Sequence, residues 1–223
     1  MVINVHAGHN PDGKVACGAV GLIKESTEAR LVKNEVIRQL RELGHTVYDC
    51  TVDDGKNQSD VLNKIVAKCN AHKAALDVSI HFNSGANDKA GNGKTTGVEV
   101  LVYSKNAAPA QAASVCNAIA ALGFKNRGVK TNSGLAVLAR TKAPAMLVEC
   151  CFVDDKDDVT LYNYKTMASA IVYGITGKKV EEAPASKAGT LYRVQVGAYG
   201  NYDNAVAMQK KLKAAGFDAT IVQ

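Results

Sequence analysis

Two hydrophobic rhythms alternate along the first 176 positions: short, largely apolar runs, and stripes at helical spacing. The runs at residues 2–5, 76–80 and 145–148 read as buried parallel strands with both faces covered. Residues 45–50 and 97–103 add two more strands. The stripe Ala29, Val32, Val36, Leu40 and Leu43 predicts a helix over residues 25–43, stopped by Gly44. Val61, Leu62, Ile65, Val66 and Cys69 predict a second over 59–72. Residues 107–122 and 156–175 read as further helices, and 134–140 as a short apolar piece. Residues 8–21, rich in Gly, Pro and Asp, and the polar stretch 83–96, which holds Ala90-Gly91-Asn92-Gly93, read as loops. Strands alternating with helices predict an α/β fold: a mostly parallel twisted sheet with helices on both faces.

The rhythm breaks at residues 177–189. Lys178, Lys179, Glu181 and Glu182, then Ala183-Pro184-Ala185-Ser186, have the composition of a linker. Residues 190–223 then read strand (193–199), helix (204–215), strand (217–222). This small C-terminal βαβ unit is too short to bury much core alone. The expected organisation is a main domain over 1–176, a linker over 177–189 and a small unit over 190–223.

Charge and cysteine usage narrow the class. Lys and Arg number 27 against 21 Asp and Glu, a formal charge of +6. That excess favours anionic surfaces. It is scattered, without aromatic interleaving or a helix-turn-helix, so a nucleic-acid partner is not expected. No apolar run approaches the roughly 18 residues that cross a bilayer, so no membrane span is expected. The opening residues 1–6 lack a basic region followed by an apolar core, so the chain is expected to be made in the cytoplasm without a signal peptide. None of Cys17, Cys50, Cys69, Cys116, Cys150 and Cys151 forms a C-x-x-C pair, which argues against a thiolate zinc site. Several lie in apolar stretches and read as small core residues of a reduced protein.

Candidate chemistry stands out against this frame. His9, His81 and Glu149 each close or just follow an apolar run. In an open α/β sheet, chemistry gathers at the carboxyl ends of the strands. Two imidazoles and a carboxylate there suggest a metal centre. Zinc in a hydrolase takes three protein ligands from His and carboxylate and leaves a fourth position for water, and a further carboxylate moves the proton. His9 is preferred to His6 because the Gly8 turn lifts it to the rim, whereas His6 still belongs to the strand. Glu25 and Glu28 both open the first helix, where acids also suit the helix dipole. At about 100° per residue, Glu25 falls within the apolar stripe and Glu28 roughly 75° off it. Glu25 therefore points at the sheet, where an unpaired carboxylate is costly and a metal resolves the cost. Glu149 ends a strand, and partial burial would raise its pKa toward a general-base value. His45 and His72 read as surface residues, and Asp154, Asp155, Asp157 and Asp158 as a solvated cap on the last helix.

Together these pieces resemble the zinc-dependent N-acetylmuramoyl-L-alanine amidases of bacterial autolysins and phage endolysins. The matching pieces are the strand leading into Gly8-His9, Glu25 at the helix start, Ser79-Ile80-His81-Phe82-Asn83, and Leu147-Val148-Glu149-Cys150-Cys151-Phe152. The resemblance covers about residues 1–176. It implies one Zn2+ ion held by His9, Glu25 and His81, with Glu149 as catalytic carboxylate. It also implies cleavage of the peptidoglycan amide between the lactyl group of muramic acid and the stem-peptide L-alanine. The opening His6-Ala7-Gly8-His9 departs from the Asp-Pro-Gly-His that many members carry, which keeps His6 in play; Glu28 stays the alternative to Glu25. Other readings are a non-catalytic wall-binding protein with a structural metal, or another zinc peptidoglycan peptidase.

The tail resembles one half of a sporulation-related repeat domain, which binds glycan strands and usually has two such halves. A single half is inert as a monomer, completes itself as a homodimer, or belongs to a longer chain. An enzyme of this class made without a leader reaches the wall after release, by a phage holin or by lysis of a mother cell. The long loop at 83–96 is expected to border the substrate groove.

Overall fold

The computed structural model describes residues 1–104, 109–180 and 195–222. The chain divides into two compact units, Met1–Glu181 and Glu182–Gln223. Six strands build the first unit: β1 (Val2–Ala7), β2 (Thr46–Asp49), β3 (Leu76–Asn83), β4 (Val98–Val102), β5 (Asn126–Thr131) and β6 (Ala145–Phe152). They form one sheet in the order β2-β1-β3-β6-β4-β5. β1 pairs in parallel with β2 and β3, and β3 with β6. β4 runs antiparallel to β6 and parallel to β5, so two strands of the mostly parallel sheet are reversed.

Helices cover both faces: α1 (Glu25–Glu42), α2 (Gln58–Asn70), α3 (Gln111–Ala120), α4 (Ala136–Arg140), α5 (Lys156–Leu161) and α6 (Tyr164–Thr176). Side chains alternate along each strand and sort the core into two layers. Ile3, Val5, Val78, Ile80, Met146 and Val148 pack with α1, α3 and α6. Ala145 and Leu147 pack with α2 and α4. The second face also buries Asn4, His6, Asp77 and Ser79. These polar groups pair in part across β1 and β3: Asn4 Nδ2 donates to Asp77 Oδ1 at 2.6 Å, and the His6 and Ser79 side chains meet at 3.4 Å, while Asn4 Oδ1 and Asp77 Oδ2 stay without a hydrogen-bond partner among the described residues.

The helices form for the reasons their sequence suggests. Ala29, Val32, Val36 and Leu40 of α1 are fully buried, and Gly44 stops the helix with a φ of 80°. α2 starts on Asn57, whose side chain accepts from the Asp60 N–H at 2.9 Å.

Three elements differ from expectation. β5 has a single apolar residue, Val129, in Asn-Arg-Gly-Val-Lys-Thr, so it carries no hydrophobic rhythm; it is an edge strand held by its ladder to β4. The single closing helix expected over 156–175 is two. Tyr162 and Asn163 are extended, and Asn163 caps α6 by accepting from the Lys165 and Thr166 N–H groups. The apolar piece at 134–140 contains the short helix α4.

The second unit contains α7 (Tyr202–Ala214), capped by Asn201, which accepts from Asp203 N–H at 2.8 Å. Residues 195–199 and 217–222 form no strand. The expected βαβ unit is therefore reduced, among the described residues, to its helix. Two short strands without a third to pair with are marginal by themselves. The expected helix start at 107–108, the linker at 181–189 and the strand start at 193–194 lie outside the described residues. No helix among the described residues is long and apolar enough to cross a membrane.

Candidate metal centre at the carboxyl end of the sheet

The ends of β1 and β3 and the first turn of α1 bring His9, Glu25 and His81 together. His9 has a φ of 61°, a left-handed conformation that costs a non-glycine residue energy. Arg30 helps hold it there. Its Nη2 donates to the His9 carbonyl at 2.9 Å and to Asp53 Oδ1 at 2.6 Å. Gly8 must be glycine because a Cβ there would lie 1.9 Å from His81 Cε1. Gly18 has a φ of +81°, and its Cβ would meet Glu25 Oε2 at 2.5 Å. The glycine-rich loop thus closes tightly over the cluster.

Glu25 is 4% exposed, facing the sheet as its place in the apolar stripe predicts. Its Oε1 lies 2.9 Å from His81 Nδ1 and 3.2 Å from His9 Nε2. Its Oε2 accepts from the Ala19 N–H at 2.7 Å. Burial works to raise this carboxyl, but the hydrogen bonds from His81 and His9 outweigh it and hold it well below the ordinary range. The alternatives lie elsewhere. Glu28 accepts from Tyr162 Oη at 3.0 Å. His6 lies outside the three-residue cluster; burial, then the neighbouring His81, pushes it down to about 3, so it is neutral.

Potential ligand atoms of His9, Glu25 and His81 all lie within 4.8 Å of one another. Two imidazoles and a carboxylate, one side open to a cleft of about 680 Å³, fit a three-ligand metal centre with a free position. His45 and His72 stand apart from it. His45 Nδ1 lies 3.0 Å from the Met1 amino group, and His72 stacks on Tyr48. All six cysteines are free thiols, five of them buried.

Glu149 stands in β6 opposite His81 of β3 and Glu99 of β4. Its Oε2 is buried and has no hydrogen-bond partner. Burial, then the charges of Glu25 and Glu99, pushes its carboxyl up to about 8. Glu99 itself accepts from Asn83, Arg127 and Lys130. Sequence reading missed Arg30, Glu99 and Lys130. Arg30 and Lys130 interrupt no strand-like apolar run that would mark them, whereas Glu99 interrupts the apolar run at 98–102 and that signal was passed over.

The loop after β3 plays a different part from the one expected. Only Asn83 and Ser84 of it line the cleft. The rest is pinned by the four aspartates expected to be a solvated cap. Asp154 accepts from the N–H groups of Gly85, Ala86 and Asn87. Asp157 accepts from Asn92 and Gly93, Asp155 from Thr96, and Asp158 from Gly97. Asp154, Asp155 and Asp158 are buried. Asp155 also caps α5, yet it faces the loop amides and not water.

Comparison with known proteins agrees with this geometry. Residues 3–177 match the family described as N-acetylmuramoyl-L-alanine amidase, and residues 171–223 match the SPOR domain. An uncharacterized protein of Clostridium perfringens is 36% identical over 82% of this chain and 53% of its own length. The N-acetylmuramoyl-L-alanine amidase CwlM of Bacillus licheniformis is 28% identical over 74% of this chain and 64% of its own. This chain thus spans between about half and two thirds of these relatives. The catalytic domain of the CD27L endolysin targeting Clostridia Difficile superposes with a TM-score of 0.71 at 25% identity, covering 81% of this chain and 99% of that domain. With a family match over most of its length and the corresponding fold, the chain belongs to the N-acetylmuramoyl-L-alanine amidase family and carries a C-terminal SPOR region.

Proposed function

We propose that this protein hydrolyses peptidoglycan at the amide joining the lactyl group of N-acetylmuramic acid to the stem-peptide L-alanine. One zinc ion would be held by His9, Glu25 and His81, with Glu149 as the catalytic carboxylate. The observation that carries the reading is a buried, unpartnered carboxyl oxygen on Glu149 beside a His–Glu–His cluster at the head of a cleft. When bound, zinc supplies Lewis acidity toward the scissile carbonyl and lowers the pKa of water.

The chain's own residues do the rest. Glu149 Oε2 takes a proton from the attacking water as its oxygen adds to the carbonyl carbon. The same oxygen returns that proton to the alanine nitrogen as the C–N bond breaks, leaving a lactyl carboxylate and a free amino terminus. In the metal-free chain burial raises this carboxyl toward neutral pH, which suits a group that both accepts and donates a proton. Glu25 stays ionised, so it holds its place in the cluster and does not compete for the proton. Arg30 fixes the His9 backbone, and Gly8 gives the His81 ring room to reach the same point.

The C-terminal SPOR region is proposed to bind wall glycan, as a single copy or by homodimerising, so that the enzyme acts at the cell wall. Purified cell walls test the reading. The protein should clear their turbidity and expose new amino termini identified as L-alanine, and a chelator should stop both. Binding without new termini would favour a wall-binding protein; termini within the stem would favour a peptidase.

A further inference from the structure

On the β4–β5 side of the cleft, two cations converge on one carboxylate. Arg127 Nε and Lys130 Nζ both donate to Oε2 of Glu99, at 2.6 and 2.5 Å. Two cations thus share one buried carboxylate. Glu99 needs a single cation, and Arg127, lying 4.9 Å over the Phe152 ring, already supplies it. Lys130 is the other: its side chain is 43% exposed and lines the cleft.

Resting on the amidase reading above, we propose that Lys130 binds the α-carboxylate of the second stem-peptide residue, so that the enzyme prefers an isoglutamate there to its amide. Sheet register supplies the distances. Glu149 pairs with Glu99, and Leu101 pairs with both Leu147 and Lys130. Lys130 therefore springs from a strand two places from Glu149, about 10 Å away, and its amine reaches back to Glu99, about 5 Å away. An extended chain advances about 3.5 Å per residue. The α-carboxyl of the second residue thus lies about 7 Å from the scissile amide, inside that range. Acids from the third residue onward lie about 10 Å away or farther.

The surface between agrees in chemistry. Leu147 and Leu101 lie about 7 Å along their strands from Glu149 and Glu99, and Leu135 lines the same cleft. This shelf suits the alanine methyl and the methylenes of an isoglutamyl residue.

The test uses the full-length zinc-loaded protein and two soluble substrates, N-acetylmuramoyl-L-alanyl-D-isoglutamate and its α-amide, isoglutamine. They differ only in the group assigned to Lys130. The acid should be cleaved with a kcat/KM roughly five- to tenfold higher, the size of one charge-assisted contact weakened by the exposure of Lys130 to water. Lys130→Met should bring that ratio close to one, Lys130→Arg should keep it, and Lys130→Glu should invert it. An unchanged ratio in Lys130→Met, or an equal fall on both substrates, would overturn the proposal. Calorimetry on the Glu149→Gln protein separates the two readings. If the acid binds more tightly than the amide but the wild type cleaves neither, the subsite stands and the amidase reading fails. Equal binding removes the subsite.

Discussion

At Glu149 burial and chemistry conflict. Its unpartnered oxygen is an expense the fold retains, and the conflict has a measurable sign. Its pKa lies at about 8 in the fold against an ordinary value of 4.5. Between those values the folded chain holds a proton that the unfolded chain releases, so the contribution of Glu149 to stability falls as pH rises through that window, while His6 acts in the opposite sense only below its ordinary value of 6.5. In chelator-treated protein, the urea midpoint should therefore drop between about pH 6.5 and pH 8.5, and Glu149→Gln should flatten the drop. Equal drops in the two proteins would contradict this account of the site. Gly8→Ala is the second residue-scale prediction. A Cβ 1.9 Å from the His81 ring must displace it, so the variant should fold with about 1–3 kcal/mol less stability and lose at least tenfold in zinc affinity by competition with a chelator. His9, Glu25, His81 and Glu149 were legible because each is a polar residue where an apolar run or stripe makes it costly. Gly8 and Arg30 were not legible in their roles, because those roles exist only once distant segments meet.

At the scale of elements, the segment Asp154–Asp158 ties the loop after β3 to the start of β4. Asp155 accepts from the Thr96 N–H and hydroxyl and from the Asp157 and Asp158 N–H groups. Asp155→Ala would leave these donors without an acceptor, so it should cost about 2–4 kcal/mol. Hydrogen exchange should accelerate at Thr96 and neighbouring amides; unchanged protection there would show that the clamp is not what orders the loop. The aspartates read as solvent-facing because charge is usually exposed, and accepting from a row of backbone N–H groups leaves no mark in composition. β5 escaped for a related reason. An edge strand is held by backbone pairing, and Asn126–Thr131 offers one apolar side chain for a pattern to find. The long stripe of α1 was plain, since burial of one helix face imposes its period on the sequence.

At the scale of the whole molecule, the chain joins an amidase-family unit to a SPOR region. The α/β class was legible because alternating runs and stripes demand it, whereas the tail's expected strands rested on short segments with no sheet to complete. Removing residues 190–223 should leave cleavage of small soluble muramoyl peptides within about twofold of the full chain and cut retention on purified walls severalfold in a sedimentation assay. Undiminished retention would exclude wall targeting by that unit. The central claim, a metal-dependent hydrolase built on His9, Glu25 and His81, is tested most directly by metal analysis of the folded protein coupled to assay. The account predicts one zinc per chain, lost in His81→Ala, with release of L-alanine amino termini only from zinc-loaded wild type. Folded protein that binds no stoichiometric metal and gains no activity from added zinc would contradict it.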